Sequence, residues 1–159
     1  MNRSGDALEQ FADYFDNMLA DLSPARRKAV ARKVGQQLRR SNAARIAANI
    51  EPDGSNMEPR KPRGELRGGR DRRGTKMFRK LRYARNFFIN PGADGVQLAP
   101  KRGAVAIARV HHFGLTGFVG RTRSQDTVRA RYEQRRLLGF GEGDIAAIAE
   151  VMLAWVDRD

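Results

Sequence analysis

A chain of 159 residues with 40% hydrophobic content has the length of one ordinary domain, able to bury a single core but not two large ones. Its net charge of +13 points toward polyanions, either nucleic acid or the acidic faces of protein partners, and the absence of cysteine excludes disulfides, thiolate chemistry and cysteine-ligated metal sites. No apolar run approaches the roughly 18 residues of a membrane span and MNRSGDALEQ has no apolar signal core, so the expectation is a soluble, cytosolic single domain over residues 1–159.

The first predicted element is a helix in which Leu8, Phe11, Phe15, Met18, Leu19 and Leu22 recur at three- and four-residue steps, with Ser4 as its cap. A second helix starts at Ser23, the cap, with Pro24 at the first helical position, where its missing N–H costs nothing. Val30, Val34 and Leu38 form its apolar stripe, and it should end near Ile50. Residues 51–74 contain three prolines and five glycines, with Met57 and Leu66 almost the only apolar side chains, which predicts an irregular, mobile basic arm. KMFRKLR (76–82) then predicts a short helix with Met77, Phe78 and Leu81 on one face.

NFFIN (86–90) and GVQL (95–98) flank a PGAD turn, the pattern of a β-hairpin. Residues 103–112 fit two patterns: Val105, Ile107, Arg109 and His111 alternate as in a strand, while the alanines and the following Gly114 fit a helix with a glycine cap. Leu115–Gln125, rich in Gly, Thr and Arg, reads as a second flexible loop, and 127–132 as a half-buried strand with a basic outer face. A last helix, about 142–157, carries Ile145, Ile148, Met152, Trp155 and Val156 at helical spacing. The predicted fold is α+β: an N-terminal helical hairpin, a long basic arm, a small antiparallel sheet from segments near 85–90, 95–99 and 126–133, and a C-terminal helix. Its structural core should include Phe11, Phe15, Leu81, His111, Ile145, Ile148 and Trp155.

The charge is unevenly placed. Residues 1–24 and 141–159 each carry one base and five acids, so each end is −4 and the middle holds +21. Acidic ends on a basic centre suit head-to-tail contact between copies, the symmetry of a ring. The arm residues Arg60, Lys61, Arg63, Arg67, Arg70, Arg72 and Arg73, with Arg121 and Arg123, are the candidate interface. They could clamp acidic patches through bidentate guanidinium contacts or attract nucleic acid, and a solvated linker is the bland alternative. The arm lacks aromatic side chains to stack bases, so any nucleic-acid signal is electrostatic and carries no sequence preference.

Catalytic readings find little support. His111-His112 could titrate or ligate, but two histidines without cysteine or paired carboxylates cannot complete a zinc site, and neighbours on a helix point about 100 degrees apart. A packed ring is the preferred role. Glu142 and Asp144 sit at a helix start, where they serve the helix dipole. GFGEG (139–143) lacks the lysine of a phosphate loop, and no Gly-x-Ser-x-Gly elbow is present. The expectation is no catalytic residue, no metal and no cofactor.

Five motif regions occur in a fixed order: RRSNAARI (39–46), PDGS with PRKPR (52–63), KMFRKLR (76–82), ARVHHFGL (108–115) and RRLLGF (135–140). In this order and spacing, over about residues 8–155, the chain resembles the phage virion morphogenesis family, specifically the tail completion protein S family of contractile-tailed temperate phages, with Mu-like morphogenesis proteins as cousins. The resemblance implies a non-enzymatic structural protein that completes the tail or joins it to the head at the neck, as a ring coaxial with the tail, with a hexamer as the implied choice. Implied partners are further copies of itself, the tail terminator, tail tube or sheath, the head–tail connector, and genomic DNA in the channel, with no membrane. Implied location is the virion, after assembly in the host bacterial cytoplasm. It favours a helix at 103–112 and a protein clamp over a DNA contact for the arm. The alternative function is a basic nucleic-acid-binding module without sequence specificity.

Overall fold

The computed structural model describes residues 22–59, 77–121 and 124–156, together with residues 13, 16, 17 and 20. The predicted first helix therefore lies almost wholly outside the described residues, along with Phe11 and Phe15. Asp13, Asp16, Asn17 and Ala20 are helical and exposed.

Helix α1, Pro24–Ala48, is the organising element. Ser23 accepts a hydrogen bond from the Arg26 N–H and Pro24 opens the first turn, as the sequence predicts. Asn49 closes the helix in a left-handed conformation that a non-glycine residue other than asparagine rarely adopts. Val30, Ala31, Gly35, Leu38, Asn42, Ala43 and Ile46 form its inward stripe. Gly35 is where the backbone approaches the first hairpin: a Cβ there would meet Val96 Cγ2 at 2.6 Å and Ile89 Cγ2 at 3.2 Å.

That hairpin pairs β1 (Phe87–Pro91) antiparallel with β2 (Val96–Pro100), in a register running from Phe87 opposite Pro100 to Pro91 opposite Val96. Gly92 N–H donates to Gly95 O at 2.8 Å across the predicted turn. Helix α2 spans Arg102–Phe113, which resolves the ambiguous segment as helical; Ala104 and Ala108 face inward and Gly114 caps it in a left-handed conformation. Strands β3 (Thr116–Arg121) and β4 (Thr127–Arg131) form a second antiparallel hairpin with an irregularity at Val119. Helix α3, Glu142–Val156, packs on α1.

The class is α+β, as expected, but several local expectations need correction. The strands form two separate two-stranded sheets, because β4 pairs with β3 and not with the first hairpin. Leu115–Gln125 is consequently not a loop throughout: Thr116–Arg121 finds a ladder partner that local glycine content does not reveal. Strand β4 is exposed along its whole length and not half-buried. Of KMFRKLR, the described residues 77–82 make turns followed by a 3₁₀ segment, Ala84–Asn86, in place of a helix, since Phe78 sits at φ 52, outside the right-handed region. Met77, Phe78 and Leu81 are nevertheless buried together, as their spacing required.

The core collects Ala43 and Ile46 of α1, Met57, Met77, Phe78, Leu81, Phe87, Ala104, Ala108 and Leu137. Full burial of a side chain such as Leu81 or Phe87 contributes about 1.5–3 kcal/mol. Ile148 and Trp155 are half-buried, as is His111. Ile145 is not core: it is 42% exposed. Asp144 occupies the inward position at the start of α3, which turns Ile145 roughly 100 degrees away from α1.

Candidate assembly interface

The segment 50–59 enters the predicted arm, and it is irregular but anchored. Ile50 bridges to Asn56, Met57 N–H donates to Asn49 O at 2.8 Å, and the Met57 side chain is buried. Arg135, itself buried, ties its far end down: Nε donates to Glu58 O at 2.6 Å and Nη2 to Pro59 O at 2.9 Å. On the other side, Met77 and Phe78 re-enter the core. Both roots of the intervening segment are therefore fixed to the same body. Arg60, Lys61, Arg63, Arg67, Arg70, Arg72, Arg73 and Arg123 lie outside the described residues. Arg121 ends β3 and is exposed.

Two arginines of the basic middle, Arg45 and Arg135, turn inward, which sequence reading missed. Arg45 Nη1 donates to Asp144 Oδ2 at 2.6 Å and to Ser41 Oγ at 2.8 Å, while Nη2 reaches Gly139 O at 2.6 Å. Ser41 also bonds Asp144, and Gly141 N–H donates to Asp144 Oδ2 at 2.7 Å, the return half of a capping box. Burial works to raise the Asp144 pKa, but the hydrogen bonds from Gly141, Ser41 and Arg45 outweigh it and hold the carboxyl below its ordinary value. Asn42 completes this latch by accepting from Gly139 N–H at 3.0 Å. Arg136 pairs with Glu51 at 2.8 Å and with Asp53. Two hydrogen bonds from Ser55, with the Arg136 guanidinium, bring the Asp53 carboxyl down to about 2.

The histidines are both built into the packing. The His111 ring meets Phe78 and Tyr132 edge-on at 4.9 and 4.7 Å, and its Nδ1 lies 3.2 Å from Arg135 Nη1. His112 Nδ1 accepts from Leu137 N–H at 3.1 Å, and burial lowers its pKa, which keeps the ring a neutral acceptor. Among the described residues no group of three or more His, Asp or Glu is placed to hold a metal ion, and no helix is long and apolar enough to cross a membrane.

What remains outward is apolar and charged surface suited to contact. Phe118, Val119 and Val128 stand exposed on the second hairpin with Arg121, Arg129 and Arg131. Ile145 and Leu153 stand exposed along α3 with Glu142 and Glu150, and Phe140 just ahead of it. Several motif residues turn inward instead, although Phe113 and Phe140 stay exposed. Asn42 and Arg45 of the first motif meet Gly139 of the last, Asp53 of the second meets Arg136, and His111 and His112 of the fourth meet Phe78 and Leu137.

Comparison with known proteins agrees with this convergence. The sequence profile of the phage virion morphogenesis family matches residues 6–157. The chain is 31% identical over 152 residues to tail completion protein S of Escherichia phage P2, covering 94% of this chain and 97% of that protein. No solved structure matches. On a match that spans nearly its whole length and motifs that close one packed node, the chain belongs to the phage virion morphogenesis family.

Proposed function

We propose that this chain is a non-enzymatic structural component of a phage virion that completes the tail, or joins it to the head at the neck, as a closed ring coaxial with the tail. The observation that carries this reading is the 31% identity, over 94% of the chain, to a protein named for tail completion. Six copies would match a sixfold tail. The acidic ends and basic middle favour head-to-tail contacts, which form rings when the rotation closes. Its partners on this reading are further copies of itself and adjacent tail terminator, tail tube or sheath and head–tail connector proteins. The basic arm at 60–74 acts as the clamp, its guanidinium groups becoming ordered and partly desolvated against carboxylates of a neighbour.

Neutralising Arg60, Lys61, Arg63 and Arg67 together is the test, with circular dichroism for folding and electron microscopy of particles for assembly. The expected result is a folded chain that fails in ring formation or tail completion. Normal infectious particles from this variant would remove the arm from the mechanism. A second reading, sequence-independent nucleic-acid binding, draws on the exposed Arg121, Arg129 and Arg131 of the hairpin. It predicts a steep loss of affinity with salt, roughly one unit of slope per phosphate neutralised, where a ring component shows an assembly state instead.

A further inference from the structure

The second hairpin and the outer face of α3 are both uncovered, and they carry opposite charge. An isolated two-stranded hairpin is marginal in water and presents open edges. This one nonetheless leaves Phe118 at 61% and Val119 at 53% exposed, with every residue of β4 exposed as well. Arg121, Arg129 and Arg131 join no ion pair among the described residues.

Helix α3 has the complementary defect. Its only charged residues are Glu142, Asp144 and Glu150, and a helix that is apolar all round is normally buried all round. Only the side bearing Asp144, Ile148 and Trp155 faces the body, so Ile145 and Leu153 are left in solvent, and Phe140 just ahead of the helix is 65% exposed. Phe140, Glu142 and Ile145 line a groove of ≈ 570 Å³ together with Glu51, Asp53 and Arg45. On a molecule of +13 this is an acidic, apolar surface.

We propose that the β3–β4 hairpin of one copy docks on the outer face of α3 in the next copy, Phe118 entering the groove beside Phe140 and Ile145 while the hairpin arginines face Glu142 and Glu150. The inference rests on the ring reading above and names the surfaces that would form it. Donor and receiver differ, so the contact is head-to-tail and leaves a free hairpin and a free face at each end until the ring closes. Charge decides the occupant. Segment 8–22 of the same chain carries Glu9, Asp13, Asp16 and Asp21 and no base, so it would set like charge against Glu142 and Glu150, whereas the hairpin brings cations.

Two reversed chains test this in sedimentation velocity, with circular dichroism confirming that each is folded. The first carries Arg121→Glu, Arg129→Glu and Arg131→Glu, and the second Glu142→Arg and Glu150→Arg. Each alone should associate at least about a hundredfold more weakly than wild type, because like charges then meet across the contact. Their equimolar mixture should reassemble, since every hairpin then faces a complementary helix. A charge-independent check uses the absence of cysteine: Phe118→Cys with Ile145→Cys should give a disulfide ladder beyond dimers on oxidation, and neither single variant should. Wild type that stays monomeric at every concentration overturns the ring reading and this contact with it. Wild type that assembles while the reversed chains assemble equally well, or while their mixture fails to, overturns the contact and leaves the ring. Loss of DNA affinity without loss of assembly in the hairpin variant assigns those arginines to nucleic acid and likewise overturns the contact.

Discussion

Asp144→Ala opens the latch between α1 and the entry to α3, and its cost can be worked from the contacts. The carboxylate side chain is 4% exposed and its Arg45 partner 17%. Removing one member of a fully buried pair costs about 3–5 kcal/mol, and the water that reaches Arg45 through the groove lowers that to roughly 2–3 kcal/mol. The Gly141 N–H loses its acceptor at the same time, for about 1 kcal/mol more. A total of about 3–4 kcal/mol should lower the Tm of a domain of this size by about 6–16 °C. Asp144→Asn keeps an acceptor for Gly141 and loses only the charge, so about half that effect is expected. The pH dependence has a fixed sign: the folded carboxyl titrates below its unfolded value, so its contribution is complete above about pH 4 and is lost as pH falls through the folded value. The difference between wild type and Asp144→Asn should therefore shrink in acid. Thermal and urea unfolding across pH 3–7 reads both. An Asp144→Ala chain within about 0.5 kcal/mol of wild type at pH 7 would refute the latch.

Two further outcomes follow from the packing. Arg135→Ala removes the donors that hold Glu58 O and Pro59 O, so the Met57 amide should exchange about tenfold faster in hydrogen exchange; unchanged protection would show that the segment is held by other contacts. Gly35→Leu should destabilise by about 2 kcal/mol or more in urea unfolding, because its Cβ alone would lie 2.6 Å from Val96 Cγ2, whereas Gly143→Ala, with open space at its Cβ, should gain up to about 1 kcal/mol of helix propensity. Equal effects at the two glycines would contradict the close approach of α1 to the first hairpin.

Features set by neighbours in the chain were legible in the sequence, and features set by distant partners were not. Ser23-Pro24, Gly114 and the PGAD turn each carry their own stereochemical reason, and each ends or turns the chain where expected. The apolar spacing of Met77, Phe78 and Leu81 correctly gave a buried set, but periodicity reports which side chains go inward and not the backbone path, and Phe78 takes a path no helix allows. Strand β3 was hidden because Gly117 and Gly120 weaken its local signal, and only pairing with residues 127–131 makes it a strand. The inward role of Asp144 was hidden for the same reason, since its partners Ser41 and Arg45 lie 103 and 99 residues away.

The placement of the motifs bears on where the interface lies. RRSNAARI, PDGS, KMFRKLR, ARVHHFGL and RRLLGF are the segments by which the chain resembles its family, and their side chains turn toward one another: Arg45 to Gly139, Asp53 to Arg136, His111 to Phe78. These contacts hold the body together and fix both roots of the basic arm. Two motif aromatics, Phe113 and Phe140, stay exposed. Surfaces free to choose a neighbour are Phe140 at the end of the last motif and, outside the motifs, the second hairpin and the outer side of α3, which expose Phe118, Val119, Ile145 and Leu153. Substitutions at the inward motif contacts, such as Arg45, should therefore register first as lost stability, and substitutions at Phe140, in the hairpin or on the outer side of α3 as lost assembly by a folded chain.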